Sequence, residues 1–312
     1  MRKSEHPSPA HGVYAALATP RAQNAVEADA AAIFDYIDTI VCAGVDGLVL
    51  FGSTGEFIHF DIGERMRVLM LAIKRSRVPL LVNVSHSTLA GALELAEHAI
   101  EAQAAGVLLM PPYYYRYNEA QISEFYRHFV ASVDDRLPIY LYNIPAFTNP
   151  ISPAAADRLL SSGSFAGIKD SSGDEDMFEV LQSLRAKLPF QWLVGKDSRY
   201  FGARQCGADG IVSGIAAALP ELVVALEAAL AVNDLERAGV FDRRLKEFIA
   251  WVDNFPATFA IKRAGLARGW KLGDLAVPCD EQTSALLGEF EKWLIAWLPG
   301  VLAESKVGAV RT

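Results

Sequence analysis

Two lysines, a tyrosine and one short hydroxyl-rich turn are the parts of this 312-residue chain best equipped for chemistry. Lys169 follows the apolar run at 165–168, so its four-carbon stem would rise from a strand end surrounded by apolar neighbours. Desolvation there disfavours the charged amine and pulls its pKa down from about 10.4. Reaching about 7–7.5 takes about 4 kcal/mol of differential solvation. A neutral amine adds to a ketone carbonyl and forms a Schiff base. Lys196, one residue beyond Gly195, is a rival for the same role. A non-catalytic alternative pairs Lys169 with Asp170 or Asp197, and residue physics alone does not separate these readings.

Gly52-Ser53-Thr54-Gly55-Glu56 is the second element. Two glycines flanking two hydroxyl residues let successive backbone N–H groups converge on an anion, for which a carboxylate is the natural guest. The plainer reading is a turn and helix N-cap. Tyr142, in Tyr-Asn-Ile-Pro, can pass protons if a hydroxyl chain relays them, with Thr54 and one of Tyr113 or Tyr114 as the chain; otherwise it is packing. No His/Glu cluster has metal-ligand spacing, so neither a metal nor a cofactor is expected. His59, His86, His98 and His128 have no partner at ligand or triad spacing and are assigned to structure or surface.

These groups need a scaffold. Helix-like stretches repeatedly end at glycine and lead into a short apolar run, at Gly44–Gly47, at Gly106 and at Gly207–Gly210. With the runs at 14–18, 80–84, 139–142, 165–168 and 192–194 this makes eight, spaced by about 25–35 residues, enough for one helix and two loops each. Continuous rather than alternating apolar runs fit strands buried on both faces. Between them, Leu93, Ala96, Ile100 and Ala104 mark an apolar helix face opposite Glu94, Glu97 and Glu101.

Eight such units predict a closed (β/α)8 TIM barrel, with an open doubly wound sheet as the alternative. After Ser213 the pattern is helical only: 220–232, 235–251, a helix with Pro256 as its first residue, and 281–297. The expected organisation is a loose N-terminal arm at 1–11, a barrel at 12–232 and a C-terminal helical extension at 233–312.

Composition excludes several other classes. Hydrophobic residues make up 52% and charged residues 21%, enough for a sizeable core. A net charge of −8 without a long basic block argues against nucleic acid and against a polybasic membrane anchor. Three scattered cysteines give no disulfide framework, no apolar window is long enough to span a bilayer, and the first residues lack a signal-peptide core. A cytoplasmic protein is expected.

In combination, GSTGE at 52–56, PYY at 112–114, YNIP at 142–145 and GIKD at 167–170 resemble the dihydrodipicolinate synthase/N-acetylneuraminate lyase family of class I aldolases. The similarity runs over about residues 12–300. It implies a (β/α)8 barrel with a helical extension, a homotetramer built from dimers, and a small 2-keto acid substrate. Carried over residue by residue, Lys169 resembles the Schiff-base lysine, Tyr142 the proton shuttle, and Ser53 and Thr54 the holders of the pyruvate carboxylate, Thr54 also joining the relay. Tyr114 resembles the tyrosine that reaches into a neighbouring subunit's site, with Tyr115 offering an alternative register.

Departures from the family pattern narrow the substrate. Phe147 stands where the lysine-pathway synthase carries an arginine for its aldehyde partner's carboxylate, and a phenyl ring cannot replace a bidentate guanidinium. The sialic acid lyases also have an apolar residue there, yet Gly214 and Asp197-Ser198 depart from their polyol contacts. Lys169-Asp170-Ser171 resembles the branch acting on 2-keto-3-deoxy sugar acids, with Ser171, Asp197 and Ser213 as candidate hydroxyl-binding groups. The bland readings are an N-cap for Ser171, a salt bridge for Asp197 and a loop hydroxyl for Ser213. Three functions follow: a Schiff-base lyase on such an acid, as aldolase or dehydratase; a 4-hydroxy-tetrahydrodipicolinate synthase; or a non-catalytic binding or regulatory barrel.

Overall fold

Eight short parallel strands close on themselves in chain order, β1 hydrogen-bonding to both β2 and β8. The structure, a computed structural model, describes residues 10–22, 27–256 and 258–306. The strands are β1 (Gly12–Ala16), β2 (Gly47–Leu50), β3 (Leu80–Asn83), β4 (Gly106–Leu109), β5 (Ile139–Asn143), β6 (Gly167–Asp170), β7 (Gln191–Val194) and β8 (Gly210–Ser213). Nearly all their residues are buried, as expected of strands wrapped by helices outside and packed against one another inside. An open doubly wound sheet is thereby excluded.

The outer layer comprises α1 (Ala30–Cys42), α2 (Ile62–Arg75), α3 (Leu89–Glu101), α4 (Glu119–Val133), α5 (Pro153–Ser161), α6 (Glu175–Arg185), α7 (Tyr200–Gln205) and α8 (Pro220–Ala231). Their starts are written locally. Asp29, Asp61, Thr88, Asn118, Ser152 and Asp174 each accept a hydrogen bond from a backbone N–H of the first helical turn. In α3 the buried stripe is Ala92, Leu95, Ala96 and Ala99, rotated from the expected 93/96/100/104 face. Small residues there let the helix sit close to the barrel, and Leu93 and Ile100 pack at its margin.

The helical extension follows as α9 (Leu235–Val252), α10 (Phe259–Ala267) and α11 (Glu281–Lys306). Two expectations are corrected here. Pro256 is not the first residue of a helix: α10 opens three residues later, and the Pro256 carbonyl accepts from Phe259 N–H at 3.0 Å in the turn before it. The last helix passes Trp297 and Pro299, held by buried Val301 and by the paired hydrogen bonds of Arg244 to Glu304 at 2.9 and 2.6 Å.

β1 begins two residues earlier than the run at 14–18, and β6 takes in Lys169 rather than ending before it. Most of the expected N-terminal arm, residues 1–9, lies outside the described residues; Ala10 is buried and donates to Tyr140 Oη at 3.4 Å. Among the described residues no helix is long and apolar enough to cross a membrane, and no group of three or more potential metal-ligating side chains gathers.

Candidate active site

Neighbouring strands put the two principal candidates side by side. Tyr142 of β5 and Lys169 of β6 are register partners, so both side chains rise on the same level of the barrel. Lys169 is 3% exposed, and its Nζ sits 3.9 Å from the centroid of the Tyr142 ring. This is the packed strand-end amine that the sequence predicts. Lys196 is exposed, its side chain lying over Gly173 outside the barrel, so the structure separates the two lysines.

Both carboxylates proposed as ion-pair partners for Lys169 are engaged by other groups. Asp170 accepts from Asn143 Nδ2 at 2.7 Å and from Ser172 Oγ at 2.9 Å, tying the ends of β5 and β6 together. Burial raises the Asp170 pKa against these hydrogen bonds. Asp197, in the turn after β7, accepts from Ser213 Oγ of β8. Burial pushes its carboxyl up to about 6, opposed by the Ser213 hydrogen bond and by the charge of Lys169. Ser213 in turn accepts from Ala216 N–H at 2.9 Å, so this loop hydroxyl has a structural task as well.

The turn at 52–56 reaches the Tyr142 hydroxyl. Ser53 Oγ lies 3.4 Å from Tyr142 Oη, a long contact across 89 residues of sequence. Ser53, rather than the Thr54 assigned to the relay, meets the phenol, while a methyl at Gly214 would come within 3.0 Å of Thr54 Oγ1, which places that hydroxyl by the end of β8. The turn is anchored beneath: Thr19 Oγ1 donates to Gly55 O at 2.7 Å, and Glu56 N–H donates to Ser53 O at 3.1 Å.

One contributor went unrecognised in the sequence. A methyl at Gly195 would sit 2.0 Å from Ser171 Oγ and 3.0 Å from Lys169 Cε, so glycine clears the space for the lysine stem. The only advance signal was a glycine at a strand end. Ser171 Oγ itself is buried and has no hydrogen-bond partner among the described residues, leaving it free to serve a ligand. It does not cap a helix; that task falls to Asp174.

Above the turn opens a cavity of about 500 Å³ whose walls include Ser53, Phe57, Met110, Tyr113, Phe147 and Val277. Tyr113 stacks edge-on against Phe57 at 5.7 Å, and burial raises its pKa. Phe147 stands 60% exposed at this mouth. Tyr114 does not turn inward: it is 87% exposed, has a left-handed backbone (φ 79°) and packs on Tyr115.

A parallel barrel with a lysine inside its mouth, flanked by a tyrosine and a hydroxyl turn, has the architecture of a Schiff-base lyase. A model of the "Dihydrodipicolinate synthetase family" matches residues 9–295, and the chain belongs to that family of class I Schiff-base lyases. A DapA-like lyase of Halobacterium salinarum is 33% identical over 86% of this chain and 88% of its own length. A 4-hydroxy-tetrahydrodipicolinate synthase of Hyphomonas neptunium is 32% identical over 82% of this chain and 89% of its own. YagE of Escherichia coli K12, provisionally named a 2-dehydro-3-deoxy-D-gluconate aldolase, is 32% identical over 67% of this chain and 70% of its own. The crystal structure of YagE with pyruvate superposes with a TM-score of 0.84 at 27% identity, covering 92% and 98% of the two chains.

Proposed function

We propose that this lyase acts on a 2-keto-3-deoxy sugar acid through a Schiff base on Lys169. The observation that carries the reading is the convergence of the buried Lys169 amine, the Tyr142 ring 3.9 Å away, and Ser53 Oγ 3.4 Å from the Tyr142 hydroxyl. In this reading Ser53 and Thr54 hold the substrate carboxylate while neutral Lys169 attacks the C2 ketone. Loss of water leaves an iminium. Having given its own proton to that departing water, the Tyr142 phenolate then takes the proton of the C4 hydroxyl, the C3–C4 bond breaks, and that bond's electron pair enters the iminium to form an enamine. The aldehyde departs; the enamine gains a proton at C3, and water releases pyruvate and the free lysine. If C3 instead loses a proton and the C4 hydroxyl leaves as water, the same residues carry out a dehydration.

Ser171, Asp197 and Ser213 support a hydroxylated substrate. Ser171 Oγ has unused hydrogen-bonding capacity, and the Asp197–Ser213 pair is a polar feature beside the lysine. The name of YagE points the same way. The runner-up, 4-hydroxy-tetrahydrodipicolinate synthase, draws on the Hyphomonas relative, and Phe147 at the mouth weighs against it.

The assembly we propose is a homotetramer built from dimers. Exposed Ile58, Tyr114, Tyr115 and Phe147 supply the apolar surface that a second copy would cover, and Tyr114 would then enter that copy's site. Incubation with pyruvate and borohydride tests the chemistry. The expected product carries the mass of one reduced pyruvate, absent in Lys169→Ala; no adduct on the wild-type chain overturns the reading.

A further inference from the structure

We infer that Lys262 is a positioning residue: acting through Glu56, it holds the Ser53–Thr54 turn in the shape that receives the substrate's carboxylate. The inference rests on the reading above and extends it to a part of the chain far from the strand ends. Glu56 closes the turn with a left-handed backbone (φ 53°), a conformation that costs a non-glycine residue energy and persists only where its surroundings impose it.

What imposes it is buried charge. The Glu56 carboxylate turns into the protein and meets Lys262 Nζ of α10 at 2.6 Å, with side-chain exposures of 5% and 0%. Thr258, just before α10, approaches the other carboxylate oxygen at 3.3 Å. Arg21 Nε lies 3.8 Å away, and Lys262 Nζ also donates to Asp274 O at 3.1 Å. Lys262, Thr258 and Asp274 all belong to the C-terminal segment, and Thr258 reaches Glu56 across 202 residues of sequence. The C-terminal extension therefore holds the turn after β2 through Glu56, while Thr19 holds it through the Gly55 carbonyl.

Stability alone is a poor reason to keep such a cluster. Taking two charges out of water is costly, and an apolar pair of similar volume commonly stabilises a fold as well or better. Burial does depress the Lys262 pKa, with Glu56 acting against that shift. What the pair provides is direction: the side chain of Glu56 is fixed, and with it the backbone three and two residues earlier that presents Ser53 and Thr54. Small misplacements of a binding group carry large penalties in bound geometry.

The test is the pyruvate concentration giving half-maximal borohydride trapping, compared with the trapping rate at saturating pyruvate. The double variant Glu56→Gln/Lys262→Met removes the pair and leaves Arg21, whose guanidinium lies over the Phe60 ring, as the remaining charge of the cluster. Its half-saturating pyruvate is expected to rise about tenfold while the saturated rate stays within about twofold of wild type, and Thr258→Val is expected to give about a threefold rise. A folded double variant with half-saturation within about twofold of wild type, or with a reduced saturated rate and unchanged half-saturation, overturns the inference. Should that variant not fold, the same criteria apply to Thr258→Val. Absence of a wild-type adduct would instead sink the Schiff-base reading, so the two failures are told apart.

Discussion

The two walls of the barrel mouth are built differently. On the wall formed by β5 and β6, to which the β2 turn reaches across the mouth, the groups are mutually engaged: Lys169 lies against Tyr142, Tyr142 meets Ser53, and Asp170 is bound by Asn143 and Ser172. On the wall between β6, β7 and β8, Ser171 Oγ has no partner among the described residues, and Asp197 is a desolvated carboxyl with a single side-chain donor, Ser213. Packed, mutually held groups suit a reaction step that must be the same at every turnover. Groups with spare hydrogen-bonding capacity suit recognition, because a ligand hydroxyl satisfies what the protein leaves open. On the function proposed above, the first wall would carry the reaction and the second the choice of substrate.

Variants on the first wall should hit turnover hardest. Tyr142→Phe keeps the ring against Lys169 but removes the proton carrier; it should still trap pyruvate while losing about 10³-fold in kcat, read by steady-state kinetics. Wild-type turnover would remove the shuttle role. Gly195→Ala sits at the end of β7 but acts on the first wall: its methyl crowds Ser171 Oγ and the lysine stem and should lower both trapping and turnover about 10²-fold, with a smaller loss of thermal stability. Equal losses of activity and stability would mean that the glycine serves the fold.

Effects on the second wall should be smaller and confined to hydroxylated substrates. Asp197→Asn should raise KM for a 2-keto-3-deoxy sugar acid about tenfold and leave pyruvate trapping unchanged. A carboxyl pushed up to about 6 is an anion above that pH and takes up a proton below it. If the anion accepts a substrate hydroxyl, KM should climb as pH falls through about 6 in wild type and stay flat in Asp197→Asn. Ser213→Ala removes a hydrogen bond that favours the anion, so the rise should move to higher pH. Ser171→Ala should cost about fivefold in KM, the smallest effect, since one neutral hydrogen bond is at stake. Losses in pyruvate trapping from any of these would dissolve the distinction between the walls.

The barrel was legible in the sequence because its signal is local. Glycine-terminated helices and continuous apolar runs each follow from nearby residues, and repetition eight times leaves few closed arrangements. The buried strand-end position of Lys169 is legible for the same reason, whereas the placement of Lys196 outside the barrel is not. Contacts over long separations were not legible. Nothing near Glu56 announces Lys262, and nothing near Gly195 announces that Ser171 and the stem of Lys169 need its missing side chain. The start of α10 is not legible in the same way, because proline favours a first helical turn but does not dictate one; here Pro256 lies in the turn before α10.

Mapping the site of the reduced pyruvate adduct bears most directly on the assignment of the nucleophile. After borohydride treatment and proteolysis, the added mass should fall on the peptide carrying Lys169 and nowhere else. Label on Lys196 or Lys262, or none at all, would contradict it.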